Sequence, residues 1–431
     1  MKCIEDEIPF EVPDGWEWCR LPAITIDIFA GGDKPDSYEK KPTDICNIPI
    51  YSNGIENNGL YGFTNKPRVI EPSITISARG TIGFCCIRET PFVPIVRLIT
   101  ITPSKEFELY YLKTVFEALI ETGEGSSIPQ LTVPGIKLKL IPVPPVNEQT
   151  RIQNKQHEIL NSIAVISREK EELQQLLQTI KSKILDLAIR GKLVPQDPSD
   201  EPASVLLERI RVEKEELIKQ GKIKRDKKES VIFKGDDNSY YLRTGVLEES
   251  LDVWQFNNLP ETWGICCLGE VCDYGNCVNI DTVDIADDAW ILDLEDIEKN
   301  TGIVLKKVTK AQRNSTSTKH QFHSRQVLYS KLRPYLNKVV LSDTDGYCTS
   351  EILPLEFKKC VLPEYARYYL MSKTFLAYAD SCSYGVKMPR LGTADGKKAI
   401  FSLPPLSEQK RIVVTIECYF SQLNKIAETL A

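Results

Sequence analysis

The chain has only three histidines, none in a Ser/His/Asp-like setting, so the commonest side chain for proton transfer at neutral pH is nearly missing. It has no phosphate-cradling glycine–lysine loop: Gly392-Thr-Ala-Asp-Gly-Lys-Lys398 has the wrong spacing and no hydroxyl after the lysine. No Gly-x-Gly-x-x-Gly follows a strand pattern, which argues against a nucleotide or methyl-donor pocket. An Asn-Pro-Pro-Tyr-like tetrad for holding a flipped adenine is also missing, since Pro144–Pro145 and Pro404–Pro405 lack the flanking Asn or Asp and the aromatic. Pro35-Asp36 with Glu39-Lys-Lys41 resembles a nuclease fragment, but it is too compressed for carboxylates that must converge on a metal from separate elements. No apolar run reaches the roughly 18 residues of a membrane span. The acidic start lacks the order of a secretory signal. The 13 cysteines include no Cys-x-x-Cys and read as reduced, mostly buried thiols of a cytoplasmic protein. Zinc on Cys272, Cys277, His320 and His323 is the alternative. The expectation is a chain with no catalytic site, bound metal or cofactor of its own.

Charge is balanced overall, at −6, but not locally. Gly302 to Ser342 holds no Asp or Glu, yet carries Lys306, Lys307, Lys310, Arg313, Lys319, Arg325, Lys331, Arg333 and Lys338. Asp281 to Glu298, just before it, is strongly acidic. The reversal points to one surface for a polyanion, because phosphate contact needs clustered Lys and Arg without competing carboxylates. The plainer reading is a solvated face balanced by the acidic stretch.

The chain also repeats itself. Val12-Pro-Asp-Gly-Trp-Glu-Trp-Cys-Arg-Leu21 matches Leu259-Pro-Glu-Thr-Trp-Gly-Ile-Cys-Cys-Leu268, an offset of 259 − 12 = 247. Pro129-Gln-Leu131 matches Pro389-Arg-Leu391, and Pro144-Pro-Val-Asn-Glu-Gln-Thr-Arg-Ile152 matches Pro404-Pro-Leu-Ser-Glu-Gln-Lys-Arg-Ile412, both with an offset of 260. Three landmarks recur in one order around different middles. That describes one scaffold used twice for two distinct recognition tasks. Trp16 and Trp263 read as core, as do Tyr329 and Tyr335.

Each Pro-Pro pair precedes a helix with heptad spacing. The first runs Ile152, Gln156, Ile159, Ile163, Ile166, Lys170, Leu173, Leu177, Ile180, Ile184 and Leu187, with Asn147 as N-cap and Gly191 as the C′ glycine. At 1.5 Å per residue it is about 65 Å long. The second runs Ile412, Ile416, Tyr419, Leu423, Ile426 and Leu430 over about 37 Å. A seam needs a partner, and the economical one is the other helix of the same chain. Gln156 and Lys170 then set the register. A second helix over about 203–220 and an exposed linker, Lys222-Ile-Lys-Arg-Asp-Lys-Lys-Glu229, follow. The halves themselves read as mixed α/β, with strand–turn–strand patterns at Ser73–Phe84 and Val327–Val340 and helices at Phe107–Glu121 and Pro363–Ala379. The boundaries expected are 1–146 and 251–406 for two recognition domains, 147–250 for a central helical spacer and 407–431 for a terminal spacer helix.

The Trp-bearing starts, the Pro-Pro-x-x-Glu-Gln-x-Arg-Ile junctions and the central Leu185-Asp-Leu-Ala-Ile-Arg-Gly-Lys-Leu-Val-Pro195 resemble type I restriction–modification specificity subunits over nearly the whole chain. The resemblance implies two target-recognition domains of twisted sheet plus helices, held apart by two long antiparallel coiled-coil helices in an internal pseudo-two-fold repeat. Each domain would read half of a split double-stranded DNA site. Two methyltransferase subunits would bring S-adenosylmethionine chemistry to adenine N6, and restriction subunits using ATP and Mg would cleave. The DNA-contact candidates are Arg79 and Gly80 at one turn, with Ser126, Ser127 and Gln130 on a second loop. In the second half they are Lys331, Arg333, Asn337 and Lys338, then Lys387 and Arg390 beside Gly385, with Lys319 and Arg325 from the basic stretch. The seam candidates are Ile159, Ile163, Ile166, Leu173, Leu177 and Ile180 against Ile416, Tyr419, Leu423 and Ile426. The rival readings are a stand-alone DNA methyltransferase or nuclease, and a non-DNA coiled-coil scaffold with two interaction domains.

Overall fold

Both Trp-bearing starts lead straight into strands, and each strand pairs with the one that ends at a Pro-Pro pair. Glu17–Arg20 lies antiparallel to Leu140–Val143, and Gly264–Cys267 to Ile400–Leu403. The first and last strands of each half are thus neighbours. This closing pair is the constant base from which the divergent middle rises, which explains why the sequence landmarks recur at the ends of each half.

The computed structural model describes residues 4–120, 123–124, 130–222, 230–235, 239–251, 258–313 and 316–430. The chain divides into two units, Met1–Arg168 and Glu169–Ala431. In the first, strands Thr25–Ala30, Ile99–Pro103, Ser73–Ile76 and Cys85–Arg88 form an antiparallel sheet in that order. Ser73–Ile76 is buried on both faces, so its Ser-Ile-Thr-Ile sequence does not alternate in exposure. Ile74, Ile76, Ile99 and Ile101 pack with Leu112 and Phe116 of helix Leu109–Leu119. A smaller sheet is built from Leu60–Thr64, Ile48–Tyr51 and Val93–Pro94.

The second unit holds a five-stranded sheet ordered Val278–Ile280, Lys319–Phe322, Gly346–Thr349, Trp290–Leu292, Val308–Thr309, and a three-stranded one ordered Val339–Leu341, Val327–Ser330, Ile352–Leu355. The expected helix 363–379 is two helices, Pro363–Leu370 and Lys373–Ser381. Ser372 divides them: its hydroxyl accepts from the Phe375 amide and caps the second.

The long helix spans Val146–Ile189. It begins one residue before the expected cap: the Pro145 carbonyl accepts from the Glu148 and Gln149 amides, so Asn147 lies inside the first turn. It stops at Gly191, where φ is +66° and the Lys192 amide reaches back to the Leu187 carbonyl. The spacer helix Ala203–Lys219 follows.

The 147–250 region is not helical and linker alone. Ser230–Lys234, Tyr240–Thr244 and Leu247–Ser250 form an antiparallel meander, and Ile232 packs on Ile265 and Cys267. Most of the basic linker, 223–229, lies outside the described residues.

Within the second unit, the last turns of the long helix pack antiparallel on the helix Leu406–Thr429. Ile184, Leu185, Ala188 and Ile189 share one core with Ile412, Val413 and Ile416, and Phe420 and Leu423 lie against it. Lys181 Nζ donates to Asn424 Oδ1 at 2.6 Å and sits 5.8 Å from the Phe420 ring centre. The two helices pack antiparallel, as the resemblance implied. The level of Leu423 and Asn424 is met by Lys181. Tyr419 and Ile426 are exposed, as are Ile159, Ile163, Ile166, Leu173 and Ile180. Leu177 is buried, Ile416 lies in the shared core and Leu423 packs against it. No described helix is long and apolar enough to cross a membrane.

Candidate nucleic-acid interface

In the first unit the chain turns back after Ser73–Ile76, placing Arg79 and Gly80 at an exposed tip. Gly80 takes φ +72° with open space where a Cβ would stand, so the tip suits glycine for its backbone and leaves room for close approach. The turn is braced from below, because Asn53 Oδ1 accepts from the Ala78 amide at 2.8 Å and its Nδ2 donates to the Val96 carbonyl at 2.7 Å. Thr81–Ile82 then pairs with Gly123–Glu124. The Arg79 guanidinium donates to the Gln130 carboxamide oxygen, from Nη2 at 3.2 Å and from Nε. Ser126 and Ser127 lie outside the described residues.

In the second unit Lys331, Arg333, Lys387 and Arg390 gather on one rim. The Arg333 amide donates to the Pro389 carbonyl at 2.7 Å, and the Leu391 amide to the Lys331 carbonyl at 3.0 Å. Arg390 grips Glu351, Nη2 to Oε1 at 2.7 Å and Nε at 3.1 Å, and so anchors the hairpin of Ser383–Tyr384 with Arg390–Leu391. The tip beyond it exposes Tyr384, Val386, Lys387 and Met388.

Four candidates do not belong to that rim's exposed surface. Lys319 is 2% exposed and donates to Ser317 Oγ at 2.8 Å, so it is a lysine of the sheet interior. Asn337 takes φ +50° and donates to the Met371 carbonyl, which makes it a bracing residue. Lys338 Nζ donates to the Leu294 carbonyl at 2.6 Å, and burial lowers its pKa. Arg325 is exposed but paired with Glu364 at 2.8 Å.

The basic stretch as a whole is answered by carboxylates from elsewhere in the unit. Lys306 meets Asp296, Lys307 meets Asp343, Lys310 meets Asp287, and Arg313 meets Asp293, Glu295 and Asp296. Three of these four bases are held by the acidic segment that precedes them in sequence. The polyanion surface inferred from an acid-free run is therefore corrected to a largely self-neutralised face, because folding lays the adjoining acidic segment, and Asp343, against these bases. Tyr335, read as core, is 48% exposed, while Tyr329 and Trp263 are buried.

Sequence reasoning missed two features of the first unit. One is Asn53. The other is a cation–aromatic group in which Lys34 lies 4.2 Å from the Tyr38 ring centre and Lys40 4.2 Å from that of Tyr61, with the two rings 5.7 Å apart. The hydrogen bond with Tyr61, then the charge of Lys34, lowers the Tyr38 pKa. The signal lay in Lys34, Tyr38 and Lys40, two lysines flanking an aromatic within seven residues of loop. Glu39 of the nuclease-like fragment is held by a backbone bridge to Phe63. The zinc alternative is not assembled: His320 Nδ1 faces the Ile352 carbonyl at 2.8 Å, His323 faces Asp345, and burial raises the Cys272 pKa. No group of three or more His, Cys, Asp or Glu side chains is positioned to hold a metal ion among the described residues.

The Glu-Gln junction has a structural explanation. Gln149 Oε1 accepts from the Glu108 amide at 2.9 Å, and its Nε2 donates to the Pro144 carbonyl. Gln409 does the same with the Leu362 amide at 2.8 Å and the Pro404 carbonyl, and adds the Cys360 carbonyl. Each glutamine pins the start of a spacer helix to the N-terminus of its domain helix.

Comparison with known proteins gives one consistent result. A family model described as "Type I restriction modification DNA specificity domain" matches residues 13–175 and 260–430. The chain is 24% identical over 325 residues to the type I restriction enzyme EcoDI specificity subunit of Escherichia coli, a match that covers 74% of the chain and 64% of that subunit. It is 25% identical to the EcoAI specificity subunit of Escherichia coli, over 98% of the chain and 80% of that subunit. Two solved structures share the fold. One is a chain from a study of complex assembly and conformational transition of the type I R-M system, with TM-score 0.58 and 14% identity over 98% of this chain and 94% of that one. The other is the HsdS subunit from Thermoanaerobacter tengcongensis, with TM-score 0.52 and 15% identity over 99% and 94%.

Proposed function

The chain belongs to the family of type I restriction modification DNA specificity domains, and from that premise we propose that it reads a split double-stranded DNA site and directs partner enzymes to it. The observation that carries this reading is the doubled rim. Each unit brings two loops together on a repeated base, with Arg79 and Gln130 in one and Lys331, Arg333 and Lys387 in the other. Lysines neutralise phosphates and set register, while an arginine fork can take guanine O6 and N7 in the major groove. Arg390, already gripping Glu351, positions its hairpin rather than reading a base.

The chain carries no catalytic centre in this reading. Two methyltransferase subunits supply S-adenosylmethionine and methylate adenine N6. Restriction subunits supply ATP- and Mg-dependent cleavage. The whole assembly works in the cytoplasm.

The test is a genome-wide map of N6-methyladenine in host cells with and without the gene. Loss of one motif of two short half-sites around a fixed gap is the expected result. The self-neutralised basic stretch favours the rival reading, a scaffold that does not touch DNA. Duplex binding by the assembled complex that does not weaken with salt, or no binding at all, would decide for that rival.

A further inference from the structure

One turn of the first unit is made from residues that turns of its kind disfavour. The chain reverses at Ile95–Leu98, where the Leu98 amide donates to the Ile95 carbonyl at 3.1 Å. The two central residues, Val96 and Arg97, take φ +53° and +59°. Two left-handed residues in succession mark the mirror-image turns that Asn-Gly and Asp-Gly favour. A Cβ is crowded in that conformation, and a branched one such as that of Val96 most of all. The fold holds the turn in three places. The Val96 amide donates to the Gly32 carbonyl at 2.8 Å and the Arg97 amide to the Gly31 carbonyl at 3.0 Å. Asn53 Nδ2 donates to the Val96 carbonyl at 2.7 Å.

What this unfavourable backbone displays is two exposed side chains. Val96 is 50% exposed, and Arg97 is exposed with a guanidinium that makes no hydrogen bond or ion pair among the described residues. The tip does not stand alone. Asn53 Oδ1 accepts from the Ala78 amide at 2.8 Å, so a single carboxamide fixes the residue before Arg79 and the residue before Arg97. Ser77 Oγ accepts from the Gly54 amide at 3.4 Å and ties the same loop to the same tip. The two arginines differ in what remains to them. Arg79 has its Nε–Nη2 edge taken by Gln130. Arg97 keeps its whole fork. Neither has an ion-pair partner among the described residues, unlike Lys306, Lys307, Lys310 and Arg313 of the second unit.

We propose, resting on the DNA-reading function above, that Arg97 is a second base-reading residue of the first unit and that Asn53 positions it beside Arg79. The free fork of Arg97 suits O6 and N7 of a guanine in the major groove, and Val96 offers an apolar contact to a thymine methyl group. A bidentate pair with a base edge needs a fixed backbone, whereas a phosphate is met as well by a lysine on a flexible stem. Asn-Gly would make this turn without strain. The presence of Val-Arg there, clamped from three residues, is what base reading explains.

The test is competition binding by the complex of the full chain with its methyltransferase subunits, on duplexes in which each base pair of the methylated site is changed in turn. Arg97→Lys keeps the charge and removes the fork. It should reduce discrimination at one G·C pair by about tenfold or more, in the half-site that Arg79→Ala relaxes, and leave the salt dependence as in the parent. Asn53→Ala should relax the pairs read by both arginines, and unchanged preference at both would overturn its positioning role. Full discrimination in Arg97→Lys would overturn the proposal for Arg97. So would an equal loss of affinity for every sequence, the sign of a phosphate contact. A parent complex that binds all duplexes alike would overturn the DNA-reading function itself, and this proposal with it.

Discussion

A side-chain amide has two donor protons and a carbonyl acceptor, and Gln409 uses both sides while wholly buried. Gln409→Ala strands the Leu362 amide and two carbonyls in a dry place. At about 1–3 kcal/mol for buried polar groups left unpaired, the second unit should lose about 3 kcal/mol in urea unfolding. Gln149→Ala should act likewise on the first unit. Glu408 allows a test by pH. Burial raises its pKa against the bonds from Gln196 and Trp263, so folding favours its protonated form. Its contribution is therefore greatest below the ordinary carboxylate range and falls as pH rises through the folded value. Glu408→Gln lacks that titration. The stability of the variant relative to the parent should rise between pH 4 and pH 7, as measured by thermal unfolding across that range. A flat difference would show that burial is not the dominant influence on this carboxyl.

At the scale of the element, the heptad reading names Ile412, Ile416 and Leu423, which the core takes, but Tyr419 where the core takes its neighbour Phe420. Tyr419 and Phe420 are both aromatic, and adjacent residues point about 100° apart on a helix. Nothing in their chemistry says which turns inward. Tyr368 decides it: Phe420 lies edge-on to that ring at 5.9 Å, and Lys181 covers it from the long helix. The seam consequently steps from Ile416 to Phe420 to Leu423. Ile416 is 0% exposed and Ile163 is 53% exposed. Ile416→Ala should therefore cost about 2–5 kcal/mol, and Ile163→Ala in the isolated chain no more than about 0.5 kcal/mol. Denaturation midpoints of the two variants would separate this register from the one with Ile163 in the seam. Likewise the meander 230–250 was concealed by its charged surroundings. Its strands need the apolar surface of Ile265 and Cys267 to be worth forming.

For the molecule as a whole, the proposed reading of a split site predicts that the two rims act separately. Arg79→Ala should relax base preference in one half of the split site and leave the other half unchanged. Lys387→Ala should weaken binding to all sequences alike and reduce the salt slope by about one. Both are read by competition binding of the assembled complex on half-site variants at several salt concentrations. A loss of preference in both halves from Arg79→Ala would mean that the units are not independent readers.

The sequence alone determined the duplication, the helices at each Pro-Pro junction and the family. Those follow from local chemistry: proline before a helix start, glycine at its end, apolar spacing between, and a Glu-Gln pair that satisfies the same backbone groups twice. Only the tertiary structure decided which charges remain available and which seam face is buried. Lys319 and Arg79 are both basic residues within basic or turn-rich sequence, but one is inside a sheet and the other at a tip. Asp296 and Arg313 are 17 residues apart and become an ion pair because the chain folds back between them. Electrostatic availability depends on distances through space, and a linear sequence fixes distance only along the chain.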